Sequence, residues 1–265
     1  MTARARLDVW LAEHGLAESR EKAQALVMAG RVRVNGTPAT KPGAAVRPPV
    51  QVEIVAGPEH VGRGALKLAA ALDAFRVDPA GRLVVDIGAS TGGFTQVLLE
   101  RGARRVYAVD AGRGQIHERL RADPRVVVLE QTNARFLSRV QVPEECDLAT
   151  MDVSFISVRK ILPALRTVLS PTAELVVLVK PQFEVGRAQV GRGGIVRDPA
   201  LHLQAVSEVA QAAQEAALGY VVRGVFPSPV KGVEGNREFF LHLACGGEPL
   251  SADAFQAALR RAVEP

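Results

Sequence analysis

Leu83 to Thr95 reads LVVDIGASTGGFT, and the rest of the chain is organised around this stretch. Leu83 to Ile87 is a short apolar-leaning run, the pattern of a parallel strand covered on both faces, where no alternation is required. Gly88, Gly92 and Gly93 then break the run, allow a tight turn and let the backbone come close to a bound ligand. Phe94 to Arg101 resumes a helical pattern. The unit is therefore strand, glycine loop and helix, with the helix N-terminus, which favours negative charge, facing whatever the loop holds.

Three nucleotide sites compete for this loop. A phosphate-binding Walker loop needs Lys and then Ser or Thr after its last glycine, but Gly93 is followed by Phe94. A dinucleotide fingerprint needs G-x-G-x-x-G, and Gly88-Ala89-Ser90-Thr91-Gly92-Gly93-Phe94 has the wrong spacing. The reading that remains is an S-adenosylmethionine loop, in which Asp86 closes the first strand, helps hold the turn and faces the cationic methionine end of the cofactor. Arg105 to Val109 reads as the second strand and ends at Asp110, 24 residues after Asp86, where a carboxylate can accept both ribose hydroxyls.

The chain has 265 residues, long enough for two unequal domains without covalent staples. Its 33 Lys and Arg exceed 28 Asp and Glu, a balance that permits nucleic-acid binding without demonstrating it. Cys146 and Cys245 are far apart and the five histidines are scattered, so neither a disulfide framework nor a metal site is expected, and the chain suits a reducing cytoplasm. No run approaches the roughly 20 apolar residues of a membrane span.

Residues 1–57 read as a separate small α+β unit. Leu7, Trp10 and Leu11, then Ala23, Leu26, Val27 and Met28, recur at helical spacing, with Ser19 as N-cap of the second helix. Arg31 to Val34 alternates as a strand, Asn35-Gly36 is a hairpin turn, and Val50 to Val55 alternates again. Arg4, Arg6, Arg20, Lys22, Arg31, Arg33 and Lys41 carry most of its positive charge. Residues 58–63 read as a linker, and 64–265 as an α/β domain with a doubly wound, seven-stranded, Rossmann-like sheet.

In that domain a helix over 65–75 precedes the first strand, and Val126 to Leu129, Asp147 to Met151 and Ala173 to Val179 read as strands three to five. A helix is expected over 158–168, a long mobile loop over 182–197, a long helix from Pro199 to about Leu218, closing strands over 220–226 and 238–244, and a last helix over 252–263. Asp152 and Lys180 end two strands that are neighbours in a methyltransferase sheet. If the last strand runs antiparallel beside strand five, its beginning, Glu238, falls on the same edge, and Lys67 leans over it from the preceding helix. Such a group suits ribose 2′-O-methylation, because a hydroxyl is a poor nucleophile that must be held in line and helped to lose its proton. Lys180 is then the base or the cation that eases deprotonation, Asp152 and Glu238 orient it, and Lys67 is a second cation near the oxygen or phosphate. Asn133, after strand three, either contacts the adenine or makes an Asx turn.

Two resemblances carry further expectations. Ser19-Arg20-x-x-Ala23 with Val27, Gly30-x-Val32-x-Val34-Asn35-Gly36 and Lys41-Pro42 resemble the alpha-L RNA-binding motif, which implies that the basic face of the first unit holds structured RNA. The whole chain resembles the TlyA family, an alpha-L motif followed by an FtsJ-like methyltransferase domain. The match rests on Gly62-Arg63-Gly64-x-x-Lys67-Leu68, the loop from Asp86 to Phe94, Thr132-Asn133-Ala134-Arg135, Asp152-Val-Ser154-Phe155-Ile156-Ser157, Lys180-Pro181-Gln182-Phe183-Glu184-Val185-Gly186 and Gly235-Asn236-x-Glu238-Phe239-Phe240. The resemblance implies methylation of cytidine 2′-hydroxyls in 23S rRNA. In longer members, which the residues before Leu7 and the helix after Ser251 resemble, it implies 16S rRNA as well. Ribosomal subunits are the implied partners, for a protein expected to be monomeric. Some relatives carry the label haemolysin, so a membrane-active protein is one alternative, and an RNA-binding assembly factor without turnover is another.

Overall fold

The computed structural model describes residues 5–28, 30–55, 61–215, 217–232 and 234–264. The chain divides into two compact units, Met1–Arg63 and Gly64–Pro265. Of the expected linker, residues 58–60 lie outside the described residues.

The first unit runs β1 (Ala5–Arg6), α1 (Leu7–Glu13), α2 (Arg20–Met28), β2 (Val32–Val34), β3 (Thr37–Pro38), β4 (Ala45–Val46) and β5 (Val52–Ile54). The Lys22 N–H donates to Ser19 Oγ at 3.1 Å, which caps α2 as its sequence predicts. Asn35 and Gly36 both have positive φ, 51° and 75°, the conformation that a two-residue hairpin needs to follow the twist of its strands. Leu7, Leu11, Ala23, Val27 and Val32 are buried together, so one apolar stripe from each helix closes over the antiparallel β3-β2-β5 sheet.

The second unit runs α3 (Gly64–Phe75), β6 (Leu83–Ile87), α4 (Gly93–Glu100), β7 (Arg105–Val109), α5 (Glu118–Arg121), β8 (Val126–Leu129), β9 (Cys146–Met151), α6 (Leu162–Arg166), β10 (Leu169–Val179), α7 (Pro181–Glu184), α8 (Pro199–Ala213), β11 (Val221–Pro227), β12 (Phe239–Ala244) and α9 (Ala252–Val263). Among the described residues the sheet order is β11-β12-β10-β9-β6-β7-β8. Strands β8, β7, β6, β9 and β10 are parallel, and β12 inserts antiparallel between β10 and β11. Every residue of β6 and of β12 is buried, as expected for strands with cover on both faces.

Three elements depart from expectation. The helix expected over 158–168 is a 3₁₀ turn over 158–160 followed by α6, because Pro163 has no N–H to give and fits only the first turn of a new helix. The long helix from Pro199 stops at Ala213, where the chain turns through Gly219 at φ 64° and the Tyr220 N–H returns to Ala213 O. The segment 182–197, expected as one mobile loop, contains α7 and two 3₁₀ turns. It is pinned by Asn236, whose amide accepts from Val196 N–H and donates to Gly194 O, both at 2.9 Å.

Asp86 sits in the middle of this sheet with no exposed surface. Thr95 Oγ1 donates to one oxygen at 2.7 Å and Thr150 Oγ1 to the other at 2.8 Å, so the carboxyl ties β6 to α4 and β9. Burial outweighs these bonds and pushes its pKa up from 3.8 to about 6. The folded state therefore binds a proton more tightly than the unfolded chain does. The stability contributed by this site is fully present below pH 3.8 and is lost as pH rises to about 6. Across that window wild type should lose about 2–3 kcal/mol relative to Asp86→Asn in urea unfolding. Parallel pH profiles of the two proteins would contradict this.

Candidate functional site

The glycine loop is held by its neighbours rather than by its own side chains. Gly88 and Ala89 N–H groups donate to Val109 O at 2.8 and 3.1 Å. Gly88 has φ 81°, and a Cβ there would lie 2.4 Å from Asp152 O, so backbone meets backbone where two strands end. Ser90 also takes positive φ, 48°, and its N–H donates to Asp110 Oδ2 at 2.8 Å. The other Asp110 oxygen accepts from Gly112 N–H at 2.7 Å. Ser90 and Thr91 are exposed, whereas Ala89, Gly92, Gly93 and Phe94 are buried. Asn133 Oδ1 accepts from Arg135 N–H at 3.1 Å, so the structure has the Asx turn. Asp86 lies beneath this loop, enclosed, and does not face the solvent side where a ligand would enter.

Lys67, Asp152, Lys180 and Glu238 come to one edge of the sheet as two ion pairs. Val179 pairs with Phe239 in the β10/β12 register, so Lys180 leaves β10 beside Glu238, which enters β12. Gly64 opens α3 against this edge: a Cβ there would lie 3.2 Å from the Phe94 ring and 3.8 Å from Asp152 Oδ2. One helical turn later, Lys67 Nζ reaches Glu238 Oε2 at 2.6 Å, with both side chains buried. Lys180 Nζ lies 2.6 Å from Asp152 Oδ1 and donates to Ser154 Oγ at 2.9 Å. The Lys180–Asp152 contact has ion-pair distance without hydrogen-bond direction, which leaves Asp152 Oδ1 buried without a hydrogen-bond donor.

Ser154, Phe155 and Phe183 complete the edge, and none of them was assigned from the sequence. Phe155 is 92% exposed, has φ 65° and packs its ring 5.2 Å from that of Phe183. A bulky residue at positive φ and an aromatic ring in water are both unfavourable, so the position is held by its surroundings for a use. No sequence pattern announces a left-handed phenylalanine. Its place two residues before Ser157 and three after Asp152 was the available signal.

In the first unit, Arg6 and Arg20 meet through Asp8, which is fully buried. Arg6 Nε and NH2 donate to its two oxygens at 3.0 and 2.9 Å, and Arg20 Nε and Gln24 Nε2 donate at 3.1 and 2.8 Å. The Arg6 guanidinium above all holds the Asp8 carboxyl well below its usual range. Each arginine side chain keeps about half its surface open, 52% and 51%. Lys22, Arg33 and Lys41 are exposed, Arg31 is half-buried with Nε on Val55 O, and Arg4 lies outside the described residues.

Residues 60–245 match the FtsJ-like methyltransferase family and residues 5–52 the S4 domain. The fold and the match define a methyltransferase with an appended RNA-binding-type module. The chain is 50% identical to the 16S/23S rRNA (cytidine-2′-O)-methyltransferase TlyA of Mycobacterium tuberculosis, over 99% of this chain and 98% of that protein. It is 38% identical to Hemolysin A of Brachyspira hyodysenteriae, over 89% and 98%. A solved structure from Streptococcus thermophilus bearing a hemolysin name superposes with a TM-score of 0.75 at 39% identity, covering 99% of this chain and 96% of that one. The chain belongs to the TlyA family. No helix among the described residues is long and apolar enough to cross a membrane.

Gly88 and Gly81 separate collision from backbone strain. Gly81, at φ 72°, has nothing within 4 Å of an added Cβ, so Gly81→Ala should cost about 1–2 kcal/mol, the left-handed penalty alone. Gly88→Ala adds the clash with Asp152 O and should cost roughly 1–3 kcal/mol more. Equal urea midpoints for the two variants would show that the loop is not packed this tightly.

Proposed function

We propose that this protein transfers a methyl group from S-adenosylmethionine to the 2′-hydroxyl of cytidine in 23S rRNA and, like its full-length relative's name, in 16S rRNA. The observation that carries this reading is the two ion pairs, buried Lys67 with Glu238 and Lys180 with half-buried Asp152, on the sheet edge beside the glycine loop. A methyl donor with a positive sulfonium needs acceptors rather than more cations around it. The carboxylates of Asp110, at the end of β7, and Asp152, after β9, stand beside the glycine loop and supply that chemistry. Asp110 keeps unused lone pairs for ribose hydroxyls, since each oxygen accepts one backbone N–H. When bound, the cofactor supplies an electrophilic methyl carbon.

The remaining work falls to side chains. A lysine ammonium has three N–H donors. Lys180 gives one to Ser154 Oγ while its charge lies 2.6 Å from Asp152 Oδ1, and a further N–H can serve a ribose oxygen. Held 2.6 Å from the Asp152 carboxylate, the Lys180 amino group is placed to hold negative charge developing on the 2′-oxygen. Lys67, neutralised by Glu238, adds a second positive group and fixes the N-terminal turns of α3 over the site. The exposed Phe155 ring offers a stacking face for a base, an interaction of about 1–3 kcal/mol that does not depend on base identity. Arg6, Arg20, Lys22, Arg31, Arg33 and Lys41 supply the phosphate-binding charge of the first unit.

Methyl transfer from labelled cofactor to ribosomal subunits that lack the modification should fall by about 10²–10³-fold in Lys180→Ala, with cofactor affinity retained. Equal transfer by variant and wild type would end the assignment, and cofactor binding without any wild-type transfer would favour an assembly factor. For the first unit, Arg20→Ala should flatten the slope of log binding constant against log salt by about 1. An unchanged slope would remove Arg20 from the RNA surface.

A further inference from the structure

Two chain segments carry the working side chains of the sheet edge. One leaves β9 and holds Asp152, Ser154 and Phe155; the other leaves β10 and holds Lys180 and Phe183. Glu184, at the end of α7, joins them. Its Oε2 accepts from Ser157 Oγ at 2.6 Å and its Oε1 from Val158 N–H at 2.8 Å. Arg159 Nε lies 3.4 Å from Oε2, and Arg159 NH2 donates to the Glu184 carbonyl at 3.0 Å. The side chain is 1% exposed. Burying a carboxylate so completely is costly, and burial raises its pKa, yet the group is retained with its oxygens aimed at the base of the Phe155 loop.

We propose that Glu184 is a positioning residue: its carboxylate ties the loop bearing Ser154 and Phe155 to the turn after Lys180, and so fixes the Phe155–Phe183 pair against the reacting ribose. This rests on the methyltransferase reading above. The chain between Phe155 and the anchored Ser157 is a single residue, Ile156, so the tether acts at short range. Phe155 holds a left-handed backbone in water, a conformation that needs such an external constraint. Small misplacements of a bound reactant cost up to about 10²-fold in rate, which sets the size of the expected effect.

The test is a double-mutant cycle on the full chain with Glu184→Gln and Phe155→Ala, read as kcat/KM for methyl transfer to unmodified large ribosomal subunits. Glu184→Gln should lower kcat/KM by about 10- to 100-fold, with the cofactor Kd changed less than twofold. In the Phe155→Ala background the same substitution should have little further effect, because the two residues act through one interaction. Multiplicative losses, or a cofactor Kd that weakens as much as kcat/KM, overturn the proposal. Hydrogen exchange gives a reading free of activity: Glu184→Gln should speed amide exchange over residues 154–158 while β6 and β9 keep their protection. Unchanged exchange in that loop overturns the proposal as well. Should Glu184→Gln fail to fold, Ser157→Ala removes the hydroxyl donor alone and should move both readouts in the same direction by a smaller amount. Wild type without transfer would overturn the enzymatic reading and the positioning role together, whereas an active wild type with an additive cycle overturns only the latter.

Discussion

The pairing of β12 against β10 sets what one edge of this sheet can do. In a wholly parallel sheet, strand beginnings lie on the opposite edge from strand ends, and Glu238 would face away from Lys180. Because β12 runs backwards, with Val179 opposite Phe239, a residue that starts a strand meets residues that finish strands. The consequence is an acid from 58 positions downstream placed beside the C-terminal rim, where the charge on Lys67 can be balanced without leaving the sheet. Two cations and two acids then share a nearly dry edge. Buried ion pairs contribute little to stability once desolvation is counted, so four such groups in one place argue for chemistry rather than for holding the fold.

Three aspartates stand near the ends of successive central strands, and their surroundings give them different work. Asp86 is enclosed, bonded to Thr95 and Thr150 with no cation beside it among the described residues, and its carboxyl is driven toward the neutral form. Asp110 spends one lone pair of each oxygen on backbone N–H groups and thereby sets the conformation of Ser90. Asp152 faces Lys180 and keeps an oxygen without a hydrogen-bond donor. The same side chain therefore serves as a buried tie, a backbone clamp and an ion-pair partner, and solvent access decides which. Gly88 links the last two settings, since its missing Cβ is what lets the loop touch the Asp152 carbonyl.

Strands β6, β7 and β8 were legible to within a residue because a short continuous apolar run closed by Gly or an acid has few other uses. The convergence of Lys67, Asp152, Lys180 and Glu238 on one edge was legible only through an assumed topology, since nothing local in the sequence says that β12 is antiparallel. Asp86 was read as helping to hold the turn and the cationic end of the cofactor; what the sequence did not show is that both its oxygens are bonded to Thr95 and Thr150 in a fully buried setting. Asn133 had two readings, and the bond from Arg135 N–H shows the turn while its amide nitrogen has no part in it. Phe155 and Glu184 stood in the family-matching motifs without a role, and nothing in the sequence paired them. Their roles come from a left-handed backbone and from two loops meeting, neither of which a linear pattern records.

Asp8 raises the reverse question, why an acid should sit buried beneath the arginines of the S4 unit. Its charge subtracts from the local field, but at physiological salt that field is screened within about 8 Å. Against this loss stands the cost of immobilising arginine side chains on binding, about 0.5–1.5 kcal/mol for each. Arg6 and Arg20 are already fixed by bonds to one buried carboxylate, with half of each side chain still open. Much of the ordering cost of these two side chains is thus met when the unit folds, before any ligand binds. An acid placed under two arginines therefore favours a defined placement of their guanidinium groups over sheer attraction, the property that choosing one site on an evenly charged polymer would need.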